Sequence, residues 1–233
     1  MIDWHSHLLP AMDDGSKDVE ESLTLLNLLH EQGVSHVVAT PHFYANDESV
    51  DRFLLRRKQS FDNLKGNISN QCPEIHLGAE VKYYQGISRM EGLDKLCIEG
   101  SDILLLEMPF TKWPNFVVNE LLELASMARF KIMLAHIERY FAFQNKSVWK
   151  NLYETGILMQ VNASVFFRMS TRRQIVKFIK AGGVLFLGSD CHNLSSRPPR
   201  MGDAFSILKK RLGESCLFQI QRCWNLTLHR NNS

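Results

Sequence analysis

The first fifteen residues, MIDWHSHLLPAMDDG (residues 1–15), predict a short strand that ends in a metal-binding pattern. Side chains two apart on a strand point to the same face, so His5 and His7 project together. Two imidazoles on one face can bind zinc, manganese or iron, and Asp13 and Asp14 follow in a loop that can add carboxylate oxygen. The alternative is a surface loop that contains two histidines. The choice between these interpretations depends on the rest of the sequence.

The composition is that of an ordinary globular protein. The chain has 233 residues, of which 45% are hydrophobic and 22% charged, so it can bury a sizeable core. This length suits one large domain or two small ones, and we predict a single domain over residues 1–233. The formal net charge of +2 is too small to indicate nucleic-acid binding.

The sequence also bears on location. It contains no run of about 18 apolar residues, which argues against an integral membrane protein. The N-terminus lacks a basic segment followed by an apolar one, so no signal peptide is predicted. The five cysteines form no C-x-x-C pair and their number is odd, which favours reduced thiols and a cytoplasmic location.

Strands and helices alternate along the chain. Predicted strands cover residues 2–7, 36–40, 74–80, 103–107, 131–136, 157–162 and 184–190, and predicted helices cover 16–32, 48–65, 115–129, 147–154, 171–181 and 200–212. Strands joined by crossover helices are parallel, and these strands are nearly continuous apolar runs, as expected when both faces are covered. The fold class is therefore α/β, and seven such units favour a (β/α)7 TIM-like barrel over an open sheet.

Each predicted strand ends in a side chain that can bind metal or substrate. These residues are His5, His7, His42, Glu80, Glu107, His136, Asn162, Asp190 and His192. One buried histidine at a strand end is usually a core residue, but the carboxyl ends of barrel strands form a single face. So many ionisable groups on one face would be costly to bury without cations. Their mixture of imidazole and carboxylate predicts a multinuclear site for Mn, Fe or Zn.

Two arginines lie close to these strand ends. Arg139 follows the fifth predicted strand, and Arg197 comes seven residues after the end of the seventh. Guanidinium groups match phosphate oxygens, although two unrelated surface arginines are the alternative. Metal ions and arginines at the same end of the barrel indicate an enzyme that hydrolyses a phosphate ester. A further basic segment, with Arg52, Arg56, Arg57 and Lys58 in the helix predicted over 48–65, is interpreted as a solvated face.

The spacing of Cys191 and Arg197 matches the C-x5-R pattern of cysteine-dependent tyrosine phosphatases. That loop needs backbone N–H groups wrapped around phosphate, usually with glycines. Here the intervening residues contain no glycine and Pro198-Pro199 follows. Strand alternation also turns Cys191 away from its neighbours Asp190 and His192. A thiol nucleophile is therefore disfavoured.

Taken in order, the short motifs resemble the PHP (polymerase and histidinol phosphatase) superfamily. They are His5-Ser-His7, Asp13-Asp14-Gly15, Ala39-Thr-Pro-His42, Gly78-Ala-Glu80, Ala135-His-Ile-Glu-Arg-Tyr140, Gln160-Val-Asn162 and Ser189-Asp-Cys-His-Asn193 with Arg197-Pro-Pro199. The set looks most similar to the manganese-dependent protein-tyrosine phosphatases of bacteria, which act in capsule and exopolysaccharide regulation. The resemblance covers residues 1–212, and its specificity comes from the order of the motifs.

The resemblance implies a distorted (β/α)7 barrel with two to three metal ions per chain, Mn²⁺ being favoured over Fe or Zn. The implied ligand sets are His5, His7, Glu80 and Asp190 for one metal, Glu80, Glu107 and His136 for a second, and Asp14, His42 and His192 for the third. Arg139 and Arg197 are implied to bind phosphate. Whether Asp13 or Asp14 is the ligand stays open, and Asp13 is the candidate general acid.

The function implied is hydrolysis of phosphotyrosine on a bacterial tyrosine kinase or a related protein, by metal-activated hydroxide and without a phospho-enzyme. The alternatives are a small-molecule phosphoesterase of the histidinol-phosphatase kind and a non-catalytic interaction module. A nuclease is disfavoured by the low net charge. The segment around Tyr83-Tyr84 and the proline-free tail that begins at Cys223 depart from the family pattern. The oligomeric state is left open.

Overall fold

A ring of parallel strands organises the molecule. The computed structural model describes the backbone of residues 1–69, 71–127, 129–181, 183 and 185–228, and the side chains of the same residues except 219 and 223–228. The strands are β1 (Ile2–Ser6), β2 (His36–Ala39), β3 (His42–Phe43), β4 (Glu74–Leu77), β5 (Glu80–Lys82), β6 (Ile103–Glu107), β7 (Lys131–Leu134), β8 (Leu158–Asn162) and β9 (Phe186–Gly188). Every pairing between these strands is parallel.

The strands pair in the orders β1-β2-β4 and β3-β5-β6-β7-β8-β9. Two hydrogen bonds continue the pairing across the break between these groups: the N–H of Gly78, just after β4, donates to Ala39 of β2 at 2.8 Å, and that of Glu80 in β5 donates to Pro41, just before β3, at 3.0 Å. β2 with β3, and β4 with β5, thus act as two strands that are each interrupted once. The N–H of Asp190 donates to the carbonyl of His5 at 2.8 Å, which brings the last strand back to β1. The prediction of a distorted seven-unit α/β barrel is confirmed.

Helices cover the outside of this ring. They are α1 (Val19–Glu31), α2 (Val50–Lys65), α3 (Asn115–Ser126), α4 (Lys146–Glu154), α5 (Met169–Lys180), α6 (Met201–Leu212) and α7 (Glu214–Leu228). The predicted start of α1 was wrong, because its N-cap is Asp18, whose carboxylate accepts from the N–H of Glu21 at 2.9 Å. Ser16 instead hydrogen-bonds with Ser22. Helix α7 was not predicted from the sequence.

Other boundaries differ by a few residues. Helix α3 ends at Ser126 rather than at 129, and α5 begins at Met169 rather than at 171. The predicted strand over 184–190 includes Val184, which lies outside the described residues, and its regular part is Phe186–Gly188. No helix within the described residues is both long and apolar enough to cross a membrane.

The core fills both faces of the ring, which explains the apolar strand sequences. All five residues of β6 are buried, and Trp4 packs edge-on against Phe186 with their ring centroids 4.9 Å apart. Buried side chains on both faces hold the strands rigidly, and their carboxyl ends therefore present polar groups in a fixed arrangement.

Candidate metal centre

Glu80, the first residue of β5, is the centre of the predicted cluster. Its carboxylate lies 2.8 Å from Nε2 of His136, 3.0 Å from Nδ1 of His42 and 3.2 Å from Nε2 of both His5 and His7. Glu80 is buried, with 1% of its surface exposed. One carboxylate therefore meets imidazoles from three other strand ends, as expected for a shared ligand.

Asp190 closes the cluster on the β9 side. Its Oδ1 atom lies 3.7 Å from Nε2 of His5, 3.5 Å from Nε2 of His7 and 3.7 Å from Nδ1 of His192. The side-chain amide of Asn162 donates a hydrogen bond to Oδ2 of Asp190 at 2.6 Å. These contacts bring residues 5–7 and residues 190–192, which are far apart in the sequence, to one point.

Asp14 forms the open edge of the cluster. Its Oδ1 atom lies 3.5 Å from Nε2 of His42 and 3.4 Å from Nε2 of His192, and its side chain is 67% exposed. One oxygen or nitrogen from each of His7, Asp14, His42 and His192 fits within 4.8 Å of the others. The same holds for His5, His7 and Asp190, and for His42, Glu80 and Glu107.

Asp13 has a different place from its neighbour Asp14. Its carboxylate lies 2.7 Å from Nδ1 of His7 and accepts from the N–H of His42 at 2.8 Å and of Gly15 at 3.0 Å. A carboxylate on the far nitrogen of an imidazole orients the nitrogen that faces a metal. The contacts of Asp13 thus favour a positioning role, and the general-acid role stays a prediction from the sequence.

Glu107, the last residue of β6, approaches the cluster at His136. It is 3.5 Å from Nε2 of His136, and its other oxygen accepts from Nζ of Lys82 at 2.6 Å. Lys82 was not identified from the sequence, although its spacing from Glu80 places both on one face of β5. The ammonium group of Lys82 also lies 5.0 Å from the ring centroid of Phe110, which is 39% exposed.

Gln160 is the second residue that sequence reasoning missed. Its side-chain oxygen accepts from the backbone N–H of His136 at 2.6 Å and lies 3.2 Å from Nδ1 of His5. Its side-chain nitrogen donates to Asn162 at 3.0 Å. The motif that contains Gln160 was noted in the sequence, but only the tertiary contacts assign it a part in holding two predicted ligands.

Two of the predicted ligands have a strained backbone. His136 and Asp190 have φ values of 34° and 53°, in the left-handed region that non-glycine residues rarely adopt. Such strain is usually found at functional sites, where the surrounding structure imposes it. At both positions the left-handed residue is the second residue after the end of a strand, β7 or β9, and its side chain lies in the cluster.

The charges in the cluster are strongly coupled. Burial opposes a charged imidazole at His7, but hydrogen bonds to Asp13 and Glu80 outweigh it and raise the pKa of His7 to about 10. Burial also opposes ionisation of Glu80, yet the charge of His5 and hydrogen bonds from the imidazoles hold its pKa well below the usual range. The Glu80 carboxylate is therefore ionised at neutral pH and available to cations.

The donor set suits metal ions. Nε2 of His5 and Nε2 of His7 face each other at 3.0 Å in a fully buried position. Among the described residues, Nε2 of His192 is buried without a hydrogen-bond partner. Nitrogen atoms that converge in this way, next to ionised carboxylates, match the ligand types of Mn, Fe and Zn.

A pocket opens beside Asp190. It has a volume of about 480 Å³, and Arg139, Arg197, Arg200, Phe167 and several serines line it. Arg139 and Arg197 donate to the two oxygens of Asp190 at 2.6 and 2.7 Å. The structure thus brings both predicted arginines to the cluster of histidines and carboxylates.

Cys191 does not belong to this site. Its side chain is fully buried, and burial raises the pKa of its thiol far above the usual range. A protonated, enclosed thiol is a poor nucleophile, which agrees with the sequence argument against cysteine chemistry.

Comparison with known proteins places the chain in a defined group. The family model for capsular polysaccharide synthesis proteins, CpsB/CapC, matches residues 1–225. A CapC protein from Staphylococcus aureus is 31% identical over 218 residues, covering 90% of this chain and 84% of that protein. The tyrosine-protein phosphatase CpsB of Streptococcus pneumoniae is 30% identical over 230 residues, covering 91% of each.

The fold matches a solved structure as well. A chain from the crystal structures of YwqE from Bacillus subtilis and CpsB from Streptococcus pneumoniae superposes with a TM-score of 0.81 at 23% identity. The match covers 98% of this chain and 94% of that chain. Those two proteins are described as metal-dependent tyrosine phosphatases.

Proposed function

This chain belongs to the CpsB/CapC family of capsular polysaccharide synthesis, and from that premise we propose that it is a metal-dependent tyrosine-protein phosphatase. The observation that carries the proposal is the position of Asp190, whose carboxylate faces the imidazole cluster and also accepts from Arg139 and Arg197. Asp190 therefore connects the proposed metal ligands with the two arginines that are proposed to bind phosphate.

The residues proposed to hold two to three metal ions are His5, His7, Asp14, His42, Glu80, Glu107, His136, Asp190 and His192. Mn²⁺ is the favoured ion, ahead of Fe or Zn. When bound, such ions make water a stronger acid and offset the charge of a phosphoryl group. Asp13 and Gln160 keep His7 and His5 turned toward the cluster.

Arg139 and Arg197 hold the phosphoryl group. Each guanidinium donates to Asp190 and has further donors that can reach phosphoryl oxygens at the same time. Both side chains are partly exposed, at 37% and 34%, so a substrate can reach them. Phe110, whose ring centroid lies 5.7 Å from the guanidinium carbon of Arg139, provides an aromatic face beside the site, which suits the phenyl ring of phosphotyrosine.

The substrate is proposed to be a phosphotyrosine-containing protein, in particular a bacterial tyrosine kinase, whose dephosphorylation regulates capsular or exopolysaccharide synthesis. A cytoplasmic location is part of this proposal. So is a single domain over residues 1–233, which the continuous hydrophobic core of the described residues supports.

Turnover of three substrates tests the proposal. Protein loaded with Mn²⁺ should act with the highest kcat/KM on a phosphotyrosine peptide, compared with histidinol phosphate and an oligonucleotide. Chelation should abolish activity, and Mn²⁺ should restore it. A preference for histidinol phosphate would favour a small-molecule phosphoesterase, and no turnover by the loaded protein would favour an interaction module.

A further inference from the structure

A groove between α5 and α6 concentrates positive charge. It has a volume of about 450 Å³, and its lining residues are Met169, Arg172, Arg173, Val176, Lys177, Lys180, Lys210 and Arg211. Six of these eight residues are cationic and none is acidic. The whole chain has a formal net charge of only +2, so this α5–α6 groove is far more positive than the chain as a whole.

The positive charges of the groove lack acidic partners among the residues that the structure describes. In the described part of the chain, none of its six cations forms an ion pair, and Arg173, Lys177, Lys180, Lys210 and Arg211 are exposed. Helix α5 contains no acidic residue. Arg173 and Lys177 are four residues apart, where like charges repel along a helix face. This arrangement is unfavourable for the isolated helix and favourable for an anionic partner.

The basic helix α2 shows the opposite pattern. Arg56 forms an ion pair with Glu48, Lys58 with Asp62, and Arg57 donates to the carbonyl of Gly78 at 2.6 Å. Two of the five cations of α2 therefore pair with carboxylates, and a third binds a backbone carbonyl. Helices α2 and α5 are both basic in composition. They differ in whether their cations form ion pairs.

The groove and the pocket beside Asp190 are lined by residues that are close together in the chain. Phe167 lines the pocket beside Asp190, and Met169, two residues later, lines the groove. The guanidinium of Arg200, a pocket residue, lies 3.6 Å from the ring centroid of Phe167 and extends the positive surface across this junction. Helix α5 then runs about 17 Å away from the pocket, a distance that about five residues of an extended peptide span.

We propose that the α5–α6 groove binds an acidic segment of the phosphoprotein substrate while the phosphotyrosine of that substrate occupies the pocket beside Asp190. This inference rests on the proposed phosphatase function and names the class of substrate. A concave groove beside the pocket fits an extended peptide segment better than it fits a flat membrane surface. Complementary charge of this kind speeds association and confers specificity.

Peptide kinetics test the proposal. Two sets of phosphotyrosine peptides of equal length would carry either five glutamates or five glutamines, placed before or after the phosphotyrosine, and be offered to the full chain loaded with Mn²⁺. We expect kcat/KM for one glutamate peptide to exceed that of its glutamine counterpart by about tenfold or more. The preference should shrink as salt rises, because exposed charges are screened.

Charge reversal should remove this preference. The triple variant Arg173→Glu, Lys177→Glu and Lys210→Glu should treat both peptides alike and keep wild-type kcat/KM on the glutamine peptide and on 4-nitrophenyl phosphate. The matched control reverses Arg52, Lys58 and Lys65 of α2 and should keep the preference. If the reversed chain folds poorly, the triple glutamine variant, checked by circular dichroism, replaces it.

The outcomes separate this proposal from the phosphatase function. Equal turnover of both peptides by the wild-type chain would overturn the groove proposal and leave the phosphatase function standing. No turnover of any phosphopeptide would contradict the function itself. Co-sedimentation with phosphatidylglycerol vesicles that the groove variant loses, combined with no peptide preference, would assign the groove to a membrane surface instead.

Discussion

The predicted metal ligands fall into a buried group and an open edge. His5, His7, Glu80 and Asp190 are at most 3% exposed, whereas the side chain of Asp14 is 67% exposed. The buried ligands are fixed by the sheet and by further partners such as Asp13, Gln160 and Asn162. Among the described residues, Asp14 approaches two imidazoles, at 3.4 and 3.5 Å. Pre-organisation therefore decreases from the centre of the cluster to its edge, and metal affinity should decrease with it.

Glu80→Gln should reduce activity most among these variants. The substitution removes the negative charge of a carboxylate that lies next to four imidazoles. Changing residues that merely orient a ligand costs about 10–100-fold, so the loss of a shared ligand should exceed about 100-fold in kcat. Elemental analysis should find at least one metal ion fewer per chain. Wild-type metal content together with wild-type kcat would show that the cluster is not centred on Glu80.

Asp13→Ala should have the next largest effect. Because Asp13 orients His7, we expect about 10–100-fold lower activity or metal affinity, with the full number of ions bound when Mn²⁺ is in excess. Activity on a series of aryl phosphates distinguishes the two roles of this residue. A positioning residue should slow all of them equally, whereas a general acid should slow the poorest leaving groups most.

Asp14→Asn tests the open edge. We expect this variant to lose one metal ion per chain at low Mn²⁺ and to regain activity to within about tenfold of wild type when Mn²⁺ is raised, because the buried ligands remain. The comparison with Asp13→Ala also decides the assignment of the adjacent carboxylates. Loss of an ion in the Asp13 variant, but not in the Asp14 variant, would mean that the predicted ligand is wrong by one residue.

Cys191→Ser should have the smallest effect. A buried thiol with a raised pKa takes no part in metal chemistry, so kcat should stay within about twofold of wild type. Asp190→Asn, assayed on the same phosphotyrosine peptide, should lose most activity because it alters a predicted ligand that also binds both arginines. The reverse pattern in this pair would overturn metal-based chemistry in favour of the thiol.

Much of the cluster could be predicted from the sequence because strand geometry is local. The two-residue period of a strand places His5 and His7 on one face, and parallel barrel strands present their carboxyl ends together. The predicted strand ends therefore contained the residues that the structure brings together, including Glu107 and His136. The exact start of a helix was harder to predict from the sequence. Ser16 and Asp18 are both good N-cap residues, and the structure shows that Asp18 is the cap of α1.

The amino-acid sequence by itself determined the α/β class, the ring of parallel strands and the strand-end residues, since these follow from residue type and from short periodic spacing. The tertiary structure alone decided which groups support and surround that cluster. Lys82 beside Glu107, Gln160 beside His5 and His136, and the division of labour between Asp13 and Asp14 all depend on segments far apart in the chain. The basic groove has the same origin, because closure of the barrel sets α5 against α6, and no local pattern specifies that contact.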